Sequence, residues 1–112
     1  MLFRSTDIDL VSVDPAYFES EAGDRIYKWL ILHAHEYGFC QVYSNKEEAG
    51  RSGYSMEKWH WSYMPISTLY LKAYLEQIQY SDLVGFEGDN IPERLEIKQK
   101  YVSGIDSRCA NF

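Results

Sequence analysis

The sequence predicts an α+β fold, a small antiparallel sheet with helices packed on it. Three observations carry that prediction. One early stretch alternates apolar and polar residues with a period of two. Two later stretches are short and dense in aromatic residues. Between and after them, apolar residues recur at helical spacing. With 112 residues there is room for one domain with one core, so residues 1–112 read as a single domain. Hydrophobic residues make up 46% of the chain and aromatic residues 16%, which favours a packed domain over a disordered one.

The first element is a strand over residues 6–13, TDIDLVSV. Ile8 and Leu10 face one way; Asp7, Asp9 and Val11 face the other. Asp14-Pro15 ends it, because proline cannot donate to a ladder. A helix follows over residues 24–37, with Ile26, Trp29, Leu30, His33 and Tyr37 as its apolar stripe. Asp24 is its expected N-cap and Gly38 its C′ residue. Residues 39–43, FCQVY, read as a second strand, residues 44–53 as a polar loop, and residues 59–64, WHWSYM, as a third strand antiparallel to the second. Pro65-Ile66-Ser67 opens a helix, with Ser67 as N-cap and Leu71, Tyr74, Leu75 and Ile78 as its apolar face. An irregular link over residues 81–90 leads to a last helix, from Pro92 at N1 to near Gly104.

The net charge of -6 gives no electrostatic reason to bind a nucleic-acid backbone. No apolar run approaches the ~20 residues of a membrane span; the greasiest, residues 26–34, holds Lys28 and His33. The opening residues, MLFRSTDIDL, lack the pattern of a secretory signal. Cys40 and Cys109 are too far apart for a Cys-x-x-Cys motif and read as free thiols, a disulfide requiring an oxidising compartment.

Chemistry concentrates in Glu57-Lys58-Trp59-His60-Trp61. A histidine stands between two tryptophans, with a carboxylate three residues upstream. Zinc is bound by imidazole nitrogen and carboxylate oxygen, and a carboxylate outside the ligand set can take a proton from water. Asp9, Glu57 and His60 have the residue types for such a site. On a regular strand Glu57 and His60 would point to opposite faces. They meet only if Glu57 lies in the incoming loop and the chain bends before Trp59, a bend that Gly53 eases. The plainer alternative makes His60 a packed strand residue and Asp7 and Asp9 the solvated face of an edge strand. His33 and His35 point in different directions on their helix, His33 toward the core and His35 toward solvent or the helix end.

The stretch KWLILHAHEYGFCQVYSNKEEAGRSGYSMEKWHWSYMPIS, residues 28–67, resembles the zinc D-alanyl-D-alanine carboxypeptidases, the VanY-like DD-peptidases of cell-wall metabolism. The family pattern has a helix ending in A-H-x-Y-G-F, a loop leading to Gly-Tyr, and a short E-x-W-H-W strand. Residues 34–39, Gly53-Tyr54 and residues 57–61 follow it in order. The resemblance implies a core like that of the hedgehog/DD-peptidase fold, truncated at its N-terminus, so that residues 1–112 form the C-terminal portion of a catalytic domain. It implies Asp9 and His60 as zinc ligands, Glu57 as catalytic base, and Trp59 and Trp61 as packing that sets His60. It implies a peptidoglycan peptide ending in D-Ala-D-Ala as substrate, and a periplasmic or extracellular setting. Two positions depart from the upstream motif S-x-H-x-x-G-x-A-x-D: Leu2 stands at the first ligand His, and Ser5 at the Gly. The Arg that binds the substrate carboxylate in the family has no counterpart in this sequence. The alternative to an active enzyme is therefore a non-catalytic remnant that binds wall peptide; a weaker one is a helix-presenting interaction domain.

Overall fold

The computed structural model describes residues 7–9 and 12–110. Strand β3 (His60–Tyr63) is the middle of a three-stranded antiparallel sheet, with β1 (Asp7–Asp9) on one side and β2 (Phe39–Cys40) on the other. The register pairs Asp7 with Ser62, Ile8 with Trp61 and Asp9 with His60; on the other edge Phe39 pairs with Tyr63 and Cys40 with Ser62. The α+β class and the β2–β3 pairing agree with the sequence reading. The strands are shorter than their aromatic patterns implied. After Cys40 the chain leaves the ladder, since Gln41 to Ser44 turn their polar groups to other partners.

Helix α1 (Glu21–His33) begins earlier than expected. Ser20 is its N-cap, its Oγ accepting from the Gly23 N–H at 3.2 Å, while Asp24 lies inside the first turn and pairs with Lys28 at 2.7 Å. The preceding single-turn 3-10 helix (Pro15–Glu19) explains this start. Asp14 caps that turn, and Gly23 packs so closely on it that a Cβ there would sit 2.0 Å from the Tyr17 carbonyl oxygen. The helix is thereby rotated. Its inward residues are Gly23, Tyr27, Leu30 of the expected stripe and, beyond its end, Ala34. The apolar stripe read from the sequence faces mostly outward: Ile26 is 41% exposed, Trp29 51% and Tyr37 64%. His33 is correspondingly not a core histidine; its half-exposed ring lies against Trp29 and 3.6 Å from Glu36. A small residue at the contact decided the rotation, and apolar periodicity does not register small residues. Gly38, at φ 88°, ends the 3-10 turn (Ala34–Tyr37) that extends α1, as expected.

The loop after β2 contains a one-turn helix, α2 (Lys46–Ala49), capped by Asn45. Helix α3 (Met64–Gln77) follows β3 without a linker. It starts at Met64 with Pro65 in the first turn; Ser67 is not its N-cap but a buried first-turn residue whose hydroxyl meets Met64 Sδ at 3.3 Å. The expected last helix is broken into α4 (Ile91–Arg94) and a π turn (Lys98–Val102), with Glu96 between them at φ 50°. A short helix, α5 (Ser107–Ala110), closes the described chain.

Two cores result. Phe18, Tyr27, Trp59 and Trp61 group their rings between α1 and the sheet. Val42, Met64 and Cys109 form the second core, with Cys40, Tyr43 and Ile105 against it. Here the free-thiol reading is overturned: Cys40 and Cys109 form a disulfide, their Cα atoms 5.7 Å apart and 69 residues apart in sequence. Sequence separation hid a proximity that the return of α5 onto β2 creates. Closing a loop of this length removes much unfolded-chain entropy, worth about 4 kcal/mol in the chain-entropy treatment. Reduction should therefore lower the urea midpoint of unfolding by that order of stability, and Cys40→Ser with Cys109→Ser should reproduce it; an unchanged midpoint would show that the bond does not constrain the fold.

Candidate active site

The candidate site is built on the turn that feeds β3. Glu57 to His60 reverse the chain, closed by the His60 N–H donating to the Glu57 carbonyl at 3.3 Å. The bend brings Glu57 Oε2 to 3.5 Å from His60 Nδ1. A straight strand would have separated them. The incoming-loop placement of Glu57 argued from the sequence is the geometry observed. Trp61 supports the turn from beneath: it is 3% exposed and its indole N–H donates to the Lys58 carbonyl at 3.0 Å. The His60 and Glu57 side chains remain partly open, 19% and 27% exposed.

Across the sheet, Asp9 is the register partner of His60. Directly opposed positions of an antiparallel pair share one face of the sheet. The backbone thus gathers positions 9, 57 and 60 at one end of β3. Leu2 and Ser5, the departures from the upstream motif, lie outside the described residues. Among the described residues, no group of three His, Cys, Asp or Glu side chains could hold a metal ion.

Sequence reasoning missed the residues behind this turn. The Tyr43 carbonyl accepts the Glu57 N–H at 2.8 Å, and the Tyr43 ring lies 5.2 Å from the His60 ring. Buried Gln41 bridges the same two segments: its Nε2 donates to the Tyr43 and Glu57 carbonyls, both at 3.3 Å, and its Oε1 accepts from Tyr27 OH at 2.7 Å. Burial raises the Tyr27 phenol above its ordinary pKa, so it stays a donor. No spacing rule connects Gln41 with Glu57; the one available signal was a polar residue inside an apolar strand pattern.

Asp106 was missed as well. It is 2% exposed and bound from both sides of a turn. Arg108 gives its backbone N–H at 2.9 Å and its Nε at 3.0 Å to Oδ1 and its Nη2 at 2.6 Å to Oδ2, while Ser44 Oγ donates to Oδ2 at 2.6 Å. The Arg108 bonds, helped by Ser44 and opposed by burial, hold the Asp106 carboxyl well below the usual carboxylate range. A cavity of about 340 Å³ opens beside it, lined by Ser44, Asn45, Glu48, Asp106 and Arg108 among others, and neither Glu57 nor His60 lines it. It is a different place from the His60 turn.

A partly buried imidazole with a carboxylate 3.5 Å from its ring nitrogen, at a position paired in the sheet with Asp9, brings together residue types that serve in acid–base or metal chemistry. The comparisons agree in class. The family model of VanY, D-alanyl-D-alanine carboxypeptidase, matches residues 5–66, more than half of the chain. The chain belongs to this family. No curated protein and no solved structure matches it. The matched stretch contains Asp9, Glu57 and His60 and ends inside α3; Asp106 and Cys109 lie beyond it.

Asp106 sets an acid limit on stability. Its folded pKa is depressed, so its contribution is complete above the ordinary value of 3.8 and is lost as the pH falls below it. Asp106→Asn should destabilise the protein by about 1–3 kcal/mol at pH 7, since it weakens charge-assisted bonds. The difference from wild type should shrink on acidification toward pH 3. A difference constant over that range, read from urea unfolding at each pH, would remove Asp106 from the acid response.

Proposed function

We propose that this chain carries the Asp9–Glu57–His60 part of a zinc D-alanyl-D-alanine carboxypeptidase site acting on peptidoglycan stem peptides. The observation that carries the reading is the 3.5 Å approach of Glu57 Oε2 to His60 Nδ1 at the position where Asp9 stands opposite His60 in the sheet. The donor set fits zinc: one imidazole and one carboxylate as ligands, with a second carboxylate beside them. Asp9 and His60 would hold the ion, which when bound would polarise a water and the scissile carbonyl. Glu57 would take a proton from the attacking water and deliver it to the leaving D-alanine nitrogen. Its partly exposed carboxylate, fixed by its backbone on Tyr43 and Gln41, suits that shuttle. On this reading residues 1–112 are the C-terminal portion of a DD-peptidase-like catalytic domain with the hedgehog/DD-peptidase core; the family match over residues 5–66 and the α+β class are in keeping with it. The Cys40–Cys109 bond supports a periplasmic or extracellular setting, because disulfides persist in oxidising compartments.

Leu2 at the place of the first ligand His favours the second reading, a wall-peptide binder that does not cleave. Two protein ligands hold zinc less tightly than three, so the enzyme reading predicts weak zinc binding. Glu57→Gln should abolish D-alanine release from a D-Ala-D-Ala peptide while retaining zinc, and His60→Ala should lose both. Equal turnover by Glu57→Gln removes Glu57 from the chemistry. If no D-alanine is released and a chelator leaves thermal stability unchanged, the non-catalytic reading stands.

A further inference from the structure

We propose that Arg51 is a positioning residue that sets both Glu57 and His60 by fastening Tyr43; the inference rests on the reading of those two residues as base and ligand. Tyr43 holds the pair in two ways, through its carbonyl on the Glu57 N–H and through its ring against His60. Its own position therefore sets theirs. Arg51 reaches it from the loop between α2 and the turn. Nε donates to the Ser44 carbonyl at 3.1 Å, and Nη2 reaches the same oxygen. Nη1 faces the carbonyls of Ser52 at 2.9 Å, Tyr54 at 2.6 Å and Gly104 at 3.3 Å. The guanidinium carbon stands 5.7 Å from the centre of the Tyr43 ring.

This is a use of the planar fork that lysine cannot reproduce. One cation ties the residue after Tyr43 to its own loop and to the turn that follows the π turn. Burial lowers the Arg51 pKa, with Asp106, Tyr43 and Glu57 opposing; an arginine remains charged throughout. The tie has a second strand of contacts. Tyr101 meets Tyr54 edge-on at 5.3 Å and Tyr54 meets Tyr43 edge-on at 5.4 Å, and with the tilted Tyr43–His60 contact a row of rings runs from the π turn to His60. Ser52 Oγ donates to the Lys100 carbonyl at 2.8 Å. Gly53 and Gly104 touch backbone to backbone; a Cβ on Gly104 would lie 2.9 Å from the Ser52 carbonyl oxygen and 3.1 Å from Gly53 Cα. Residues 100–104 lie beyond the family-matched stretch, yet through Arg51 they bear on its two reacting side chains.

The test uses the full chain with its disulfide intact and starts without metal. Amide hydrogen exchange is followed at Glu57, whose N–H is held by Tyr43, and at Met64, whose N–H is held by the Gly38 carbonyl. In Arg51→Lys the Glu57 amide should exchange at least tenfold faster relative to Met64, and the nuclear Overhauser contacts between the His60 and Tyr43 rings should weaken. Zinc affinity by calorimetry should fall tenfold or more, the usual effect of losing support behind a ligand. A merely structural arginine would speed both amides equally and leave the ring contacts in place; that result, or a variant identical to wild type, overturns the proposal. Should Arg51→Lys not fold, Tyr43→Leu carries the test: it keeps the carbonyl and removes the ring, so zinc affinity should drop while the Glu57-to-Met64 exchange ratio stays as in wild type. Unchanged zinc affinity in Tyr43→Leu overturns the ring's part. If wild type binds no zinc, the enzyme reading fails by itself, and the exchange ratio and ring contacts in Arg51→Lys still decide whether Arg51 positions the pair.

Discussion

The bend between Glu57 and His60 is the constraint on which the rest of the site depends. It converts a spacing of three residues, which a strand would split between two faces, into a side-chain approach of 3.5 Å. Such a bend does not hold itself. Its carbonyls and amides are taken up by the Tyr43 carbonyl, the Gln41 side chain and the Trp61 indole. Each of these groups is buried or part-buried, and an unmade bond there would cost more than a made bond contributes. The polar network behind the turn is therefore as much a part of the site as the imidazole it presents.

The second constraint is long-range. The last stretch of the described chain returns to β2 through a covalent bond and to the loop after it through the Asp106 clasp on Ser44 and the Arg51 tie to Gly104. These contacts surround the loop of residues 44–56, which has little apolar core of its own. A loop of that kind would otherwise open locally at low free-energy cost. Its anchoring explains how a site can be fixed on irregular backbone rather than on long strands.

The sequence carried local features better than it carried the packing. Class, strand pairing, Gly38 as a helix stop and Glu57 in the incoming loop were legible because each rests on a local rule. The face that α1 buries was not legible, because the close approach of Gly23 to the Tyr17 carbonyl is a matter of contact geometry that an apolar stripe does not register. The disulfide, Asp106 and Arg51 were not legible either. Each has a partner 69, 62 or 53 residues away, and one sequence holds no record of that proximity. Resemblance supplied what spacing could not: candidate ligand roles for Asp9 and His60, positions that the β1–β3 register pairs.

The central claim is convergence on one cation, and the ion's own surroundings test it most directly. X-ray absorption at the zinc edge, on the full chain loaded with one equivalent, reads those donors. The account predicts a single imidazole with oxygen donors, the imidazole signature vanishing in His60→Ala and an oxygen donor lost in Asp9→Ala. A spectrum that neither substitution alters would contradict it.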